Sequence, residues 1–419
     1  VNKKVLFGLI ALVLVVLVVL PLCSACTPKA PAKDKIVVGM ARPLSGGMAI
    51  IGDSGFKPIY ETFIPEVNAA GGLFIADLGK KLPLETLIYD DKSDVGTMTR
   101  LTEKLILEDK VDFLWPSCGT SFIFGQAPIA NKYNYLLLTA EGGATTITDS
   151  LYSLPYTFIS LSYSDWYQLP VWADMVAAAG AKTAYVTYIA DLHGIEYAGV
   201  AGKEFSRVGI KIVGNVSLPP TLKDFAPIIL DAQASGADVF CCFAYPDQVM
   251  PVTGTAIALG YNPKAMIMGP GGNFGFYHTT FGPATEGVCA FDTYSRKQSP
   301  AMNALADKLY TGKPEEAQDW WGHSLYWAAW EYWKQAVEKA GTLDQTAIRN
   351  VFATEHFNTV LGDTSFTVFG NGGGIMAKES HNAEIGQWQS GIFESVGGGP
   401  WPNTKLTAPF VYPKPAFPK

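Results

Sequence analysis

Charge is scarce in this chain. Asp, Glu, Lys and Arg make up 16% of 419 residues, with a net charge of −7 and no basic block. Gripping a polyanion needs clustered Lys and Arg, so no nucleic-acid partner is expected. Histidine is scarcer still. The five stand at 193, 278, 323, 356 and 381, and no two share the spacing of metal ligands on one helix. Of six cysteines two lie in the first 26 residues, which leaves Cys118, Cys241, Cys242 and Cys289. Without C-x-x-C or Cys/His spacing a zinc site is excluded. Cys241 and Cys242, adjacent in a strand, point to opposite faces and are poor partners for each other. Buried thiols are expected, with one disulfide left open. Also missing are a G-x-S-x-G elbow, a phosphate-binding G-x-x-x-x-G-K-[ST] loop and a dinucleotide G-x-G-x-x-G turn. An enzyme is therefore the weaker class, and no cofactor or metal is expected.

What the chain does have begins with a leader. Lys3-Lys4 precedes an unbroken apolar run, Val5–Leu22, and Cys23-Ser24-Ala25-Cys26 follows. This is the pattern of a secretory signal, though the run is also about long enough to span a bilayer. Ser24-Ala25-Cys26 resembles a lipobox, with Cys23 where a leucine is usual. Cys26 is thus the expected lipidation site and Cys23 the substitute. Residues 1–26 then form a lipoprotein signal peptide and 27–35 a tether, so the mature protein is expected outside the cytoplasm, lipid-anchored to the bacterial cell membrane.

Beyond Lys35 short apolar runs alternate with amphipathic segments, the signature of an α/β protein with parallel sheets. Expected strands include Lys35–Ala41, Pro83–Tyr89, Thr183–Ile189, Asp238–Phe243 and Ala265–Met268. Expected helices include Thr97–Asp109, Ile195–Arg207, an aromatic Trp320–Ala340 and a short Phe352–Phe357. Gly52-Asp53-Ser54 reads as a helix start, with Pro65 kinking the helix that follows. Asp90-Asp91 reads as a strand-end turn rather than a catalytic pair.

The stretch Trp115–Thr148 carries the most chemistry. The run Val111–Trp115 is stopped by Pro116, Ser117-Cys118-Gly119-Thr120-Ser121 turns the chain, and a second run, Tyr135–Thr139, ends at Glu141-Gly142-Gly143. In an open parallel sheet such loops leave the carboxyl ends of the strands, where ligands bind. The hydroxyls of Thr120 and Ser121 and the free N–H groups of a helix start suit a small polar or anionic group. Tyr245, Phe274 and Trp166 are aromatic candidates to lie flat on a ligand.

The ordered landmarks RPLSGGMAIIGD, NAAGG, YDD, S-C-G-T-S and LLTAEGGATTIT, with GPGG after Ala265–Met268 and a late QWQSG, resemble the type I periplasmic binding proteins. The branch is the one that binds leucine, isoleucine and valine for ABC importers. That resemblance implies two doubly wound parallel-sheet lobes joined by three crossing segments, with lobe 1 at 36–157 plus 291–363 and lobe 2 at 158–290 plus 364–412. It implies one small molecule held between the lobes, an ABC permease as partner, and a monomer. Thr120, Ser121, Glu141 and Gly143 fall at its ligand positions, Gly143 where amino-acid binders carry a threonine. His193 replaces a tyrosine, and Gly271 stands where the family presents an acid to a ligand ammonium. These departures point away from a simple branched-chain amino acid, toward a small polar or aromatic metabolite such as an amide or aromatic acid. A ligand-sensing ectodomain of a signalling system is the alternative.

Overall fold

The computed structural model describes residues 33–142, 146–161, 168–310, 318–380 and 384–418. The leader expected at 1–26, including Cys26, and the candidates Gly143 and Trp166 lie outside the described residues.

Eighteen strands are described: β1 Ile36–Arg42, β2 Leu73–Ile75, β3 Lys80–Leu82, β4 Leu84–Asp90, β5 Phe113–Trp115, β6 Leu137–Thr139, β7 Thr157–Ile159, β8 Thr183–Ile189, β9 Lys211–Leu218, β10 Val239–Phe243, β11 Ala265–Met268, β12 Val288–Phe291, β13 Phe357–Thr359, β14 Gly362–Thr364, β15 Phe366–Val368, β16 Gly374–Met376, β17 Ile385–Gln389 and β18 Ile392–Gly397. The first lobe holds a parallel sheet in the order β4-β1-β5 and a four-stranded sheet β15-β16-β7-β6. The second is built on one seven-stranded sheet, β18-β17-β12-β11-β10-β8-β9. Strands β9 through β12 pair in parallel, and the hairpin β17-β18 closes one edge antiparallel. Each parallel pair needs a crossover, and helices such as Leu192–Arg207 and Pro246–Ala258 supply them.

The strand ends fit the side chains. β10 (VFCCF) and β11 (AMIM) are apolar at every position and fully buried, as a sheet covered on both faces requires. Cys118, Cys241, Cys242 and Cys289 are buried free thiols. Asp90 accepts from the backbone N–H groups of Leu44, Ser45 and Lys92, and Asp91 from Ser93 N–H and the Ser117 hydroxyl. That pair builds a turn.

Three expectations need correction. Helix Gln345–Thr354 starts at Asp344, whose carboxylate accepts from Ala347 N–H at 2.8 Å; it ends before Phe357, which begins a strand paired with β14. The expected helix Phe352–Phe357 is thus the end of this helix, a turn and the start of a strand. The chain also turns helical at Ala49, before Gly52, and widens into an i→i+5 turn over Gly52–Phe56. The Ser54 carbonyl there accepts from His323 Nε2 at 2.7 Å. Finally, β15 and β16 belong to the first lobe's sheet, because buried β16 pairs in parallel with β7, so residues 366–376 do not join the second lobe. β17-β18 cross to it, followed by a tail held there through Thr407, Val411 and Lys414.

The first lobe's core is a ring cluster on helix Gly322–Ala340. Trp330 stacks on Trp115 of β5 at 3.7 Å between centroids, and Trp333 meets Phe113 edge-on at 5.0 Å. Both tryptophans are buried, which fixes the helix against the strand that feeds the central turn.

Candidate functional site

The turn after β5 and the loops after β6, β8, β10 and β11 converge on one cavity, joined by the crossing segment that leads into helix Gly322–Ala340. Its lining includes Gly119, Thr120, Glu141 and Tyr326 from the first lobe and His193, Tyr245, Asn273 and Phe274 from the second. Asp319 and Trp321 line it from the crossing segment. The enclosed volume is about 30 Å³. That is room for a water or two, whereas a metabolite needs several hundred Å³. The two lobes meet around it with little free space.

Contacts cross the cleft. The Tyr245 hydroxyl of the second lobe lies 3.3 Å from where a Cβ on Gly119 would sit, against the turn of the first. Thr146 N–H donates to Glu196 at 2.8 Å, from the first lobe to the second.

On the first lobe Pro116 ends β5, and Gly119 takes φ +93° before helix Thr120–Lys132. Gly119 N–H donates to Glu141 Oε2 at 3.3 Å, and the Tyr326 hydroxyl donates to Oε1. The two donors aimed at this point therefore hold a carboxylate belonging to the chain. Burial raises the Glu141 pKa to about 7, against the Tyr326 hydrogen bond and the charge of Arg42, which pull it down. Arg42, at the end of β1, is itself buried; its Nη1 donates to the Pro116 carbonyl at 2.8 Å and its guanidinium lies 3.6 Å over the Phe56 ring.

On the second lobe Asp191 caps helix Leu192–Arg207, accepting from Gly194 N–H at 2.9 Å, and so places His193 in the wall. His193 stacks on Tyr245 at 4.9 Å. Burial lowers its pKa to about 3, so the ring is neutral, and its Nε2 meets no partner among the described residues. In the turn after β11, Pro270, Asn273 and Phe274 reach the cavity. Gly271 is not in the lining. It adopts φ +124°, and a Cβ there would come within 3.1 Å of Pro246 Cα.

Asp319 is the group that sequence reasoning missed. Its Oδ1 accepts from Asn273 Nδ2 at 2.6 Å, Trp321 N–H at 3.1 Å and Gly322 N–H at 2.8 Å. Its Oδ2 is buried without a donor among the described residues, and burial lifts the carboxyl to about pKa 7. No signal of spacing marked it, because it follows Glu315-Glu316 in a polar stretch ahead of an aromatic helix.

Of the expected site residues, the structure brings Thr120, Glu141, His193, Tyr245 and Phe274 to the cavity wall. Ser121 is half-buried in the first turn of its helix and does not line it. Arg42, Asn273, Trp321 and Tyr326 join the site only through the fold. Among the described residues no three His, Cys, Asp or Glu side chains come together as a metal site, and no helix is long and apolar enough to cross a membrane.

Two α/β lobes, three crossing segments and a cleft between strand ends define the type I periplasmic binding fold. The family model for periplasmic binding proteins matches residues 35–391, and the chain belongs to that family. Leu/Ile/Val-binding protein homolog 7 of Brucella melitensis biotype 1 is 28% identical over 265 residues, which is 60% of this chain and 62% of the relative. The match thus spans less than two thirds of that relative's length. Among solved structures, the fold is similar to a solute binding protein of an ABC transporter from R. palustris in complex with 4-hydroxybenzoate. There the TM-score is 0.74 at 18% identity, covering 87% of this chain and 97% of that one. It is also similar to the branched-chain amino acid transporter substrate binding protein LivJ from Streptococcus pneumoniae in complex with isoleucine. That pair gives a TM-score of 0.71 at 19% identity, covering 86% of this chain and 98% of that one.

Proposed function

We propose that this protein is the extracytoplasmic, lipid-anchored substrate-binding component of an ABC importer, closing two lobes over a small polar or aromatic metabolite and presenting it to a membrane permease. The observation that carries the reading is the cavity. Both lobes and the crossing segment line it, and it holds buried polar atoms that the protein leaves without partners. Such atoms cost free energy unless a ligand engages them.

Hinge closure is the first test. Small-angle scattering on the protein with and without a saturating ligand should show a smaller radius of gyration in the bound form. No change at saturation would remove closure from the mechanism.

Thr120 gives a second test. Its side chain is buried at the cavity, and losing a hydroxyl bonded to a charged group costs roughly 1.5–3 kcal/mol. Thr120→Ala should weaken binding about ten- to a hundredfold by calorimetry. Unchanged affinity in a folded variant would return this position to helix capping.

The anchor is tested at Cys26. Cys26→Ser should yield an uncleaved precursor that takes up no radiolabelled fatty acid. Processing and labelling like the natural chain would move the site to Cys23, and an unprocessed, unlabelled natural chain would favour a helix-anchored sensor.

A further inference from the structure

We infer that the cleft takes an organic cation bearing N–H groups, a protonated amine or an amidinium, and rejects the free carboxylates that its turn-and-helix geometry suggests. The inference rests on the solute-binding reading above and deepens it by naming the ligand's chemistry.

The anion-binding corner is already occupied. A Ser/Thr-rich turn entering a helix offers N–H groups to a ligand carboxylate. In this protein Gly119 N–H and the Tyr326 hydroxyl are spent on Glu141, and the Tyr245 hydroxyl of the other lobe is packed against the same turn. A ligand carboxylate would have to displace the chain's own carboxylate and then sit beside it.

The opposite deficit lies at the crossing segment. Asp319 lines the cavity fully buried, with Oδ1 saturated by three donors and Oδ2 receiving none among the described residues. Oδ2 wants an N–H. The unpartnered Nε2 of His193 stands in the same wall, and the ring is neutral, so it adds no positive charge that would repel a cation.

Charge and shape agree. No Lys or Arg lines the cavity among the described residues. Arg42 lies behind the first lobe's wall and outside the lining, with Nη1 on the Pro116 carbonyl and its guanidinium over the Phe56 ring, and with Nε and Nη2 unmet among the described residues. A third carboxyl, Asp191, stands behind Tyr245. The walls are aromatic, lined by Tyr245, Phe274, Trp321 and Tyr326, and an aromatic ring attracts a cation set over its face. Two buried carboxyls held near neutrality both ionise more readily once a cation sits between them.

The test uses the full mature chain and two matched sets of probes: acetamidine, acetamide and acetate, then benzamidine, benzamide and benzoate. Calorimetry should show the amidines binding at least a hundredfold more tightly than the carboxylates, with the amides between. Asp319→Asn keeps the Oδ1 acceptor and removes the free oxygen; it should weaken amidine binding at least tenfold. Equal or tighter binding of acetate or benzoate would overturn the inference, and so would full amidine affinity in a folded Asp319→Asn protein. Should that variant fail to fold, the ranking of probes on the natural chain decides alone. If none of the six probes binds, the cation assignment falls. The solute-binding reading falls with it only if a cell extract of metabolites also leaves the scattering radius unchanged.

Discussion

Trp330→Ala is expected to lower the unfolding free energy by about 3–5 kcal/mol. Trp330 is 1% exposed, stacked at 3.7 Å on Trp115, 5.5 Å from Phe63 and edge-on to Trp333 at 5.7 Å. Truncation removes a large buried apolar surface and leaves a cavity whose walls are other rings, which cannot collapse into it without leaving their own contacts. Urea denaturation should show a lower midpoint at unchanged slope, since the surface exposed on unfolding scarcely alters. Trp115 is also the last residue of β5, next to the turn that holds Glu141 through Gly119. The variant should therefore weaken ligand binding too, although Trp330 does not line the cavity. A loss under about 1 kcal/mol would mean that this cluster is not the first lobe's anchor.

Gly119→Val is expected to abolish ligand-induced closure and to weaken binding by more than a hundredfold, with a smaller effect on stability. Gly119 sits at φ +93° and ψ 154°, a region essentially kept for glycine, where a side chain costs roughly 1–3 kcal/mol. Its place in the cleft matters more. A Cβ there would lie 3.2 Å from Met48 Cε and 3.3 Å from the Tyr245 hydroxyl of the other lobe. Valine's two methyls would extend beyond that point, into the space held by Tyr245. The lobes would then stop short, and groups drawn from both would not reach one ligand together. Scattering on the variant with the tightest probe, beside its urea midpoint, checks both halves. Normal closure and affinity in Gly119→Val would show that Tyr245 moves freely and that the tight packing at this glycine has no part in binding.

Much of the scaffold was legible because local patterns and the fold agree. Strands Thr183–Ile189 and Ala265–Met268 lie where the apolar runs place them, between Gly and polar turns. Helix Leu192–Arg207 begins three residues ahead of the expected Ile195, because Asp191 caps it. Where two tendencies compete the sequence misleads. Phe352–Phe357 is expected as one short helix, yet Phe352 lies in the last turn of a helix that ends at Thr354 and Phe357 opens a strand. The assignment of residues 366–376 to the second lobe failed for a related reason: strand pairing with β7 is a contact across more than two hundred positions, and no local pattern encodes it.

The site divides the same way. Thr120, Glu141, His193, Tyr245 and Phe274 could be named from the sequence because each follows a strand, and in a parallel sheet the loops after strands share one edge. That is a rule of chain direction, so the chain alone determined it, together with the α/β series and the absence of catalytic motifs. Only the tertiary structure decided what those loops hold. The sequence offered a Ser/Thr turn with free N–H groups; folding turned Glu141 onto Gly119 N–H and packed Tyr245 against the turn. It also carried Asp319 in on a crossing segment and buried it with one oxygen unmet. The charge preference of a cleft is a sum over groups from distant parts of the chain, weighted by their burial. Neither the sum nor the burial exists until the lobes and crossing segments are assembled.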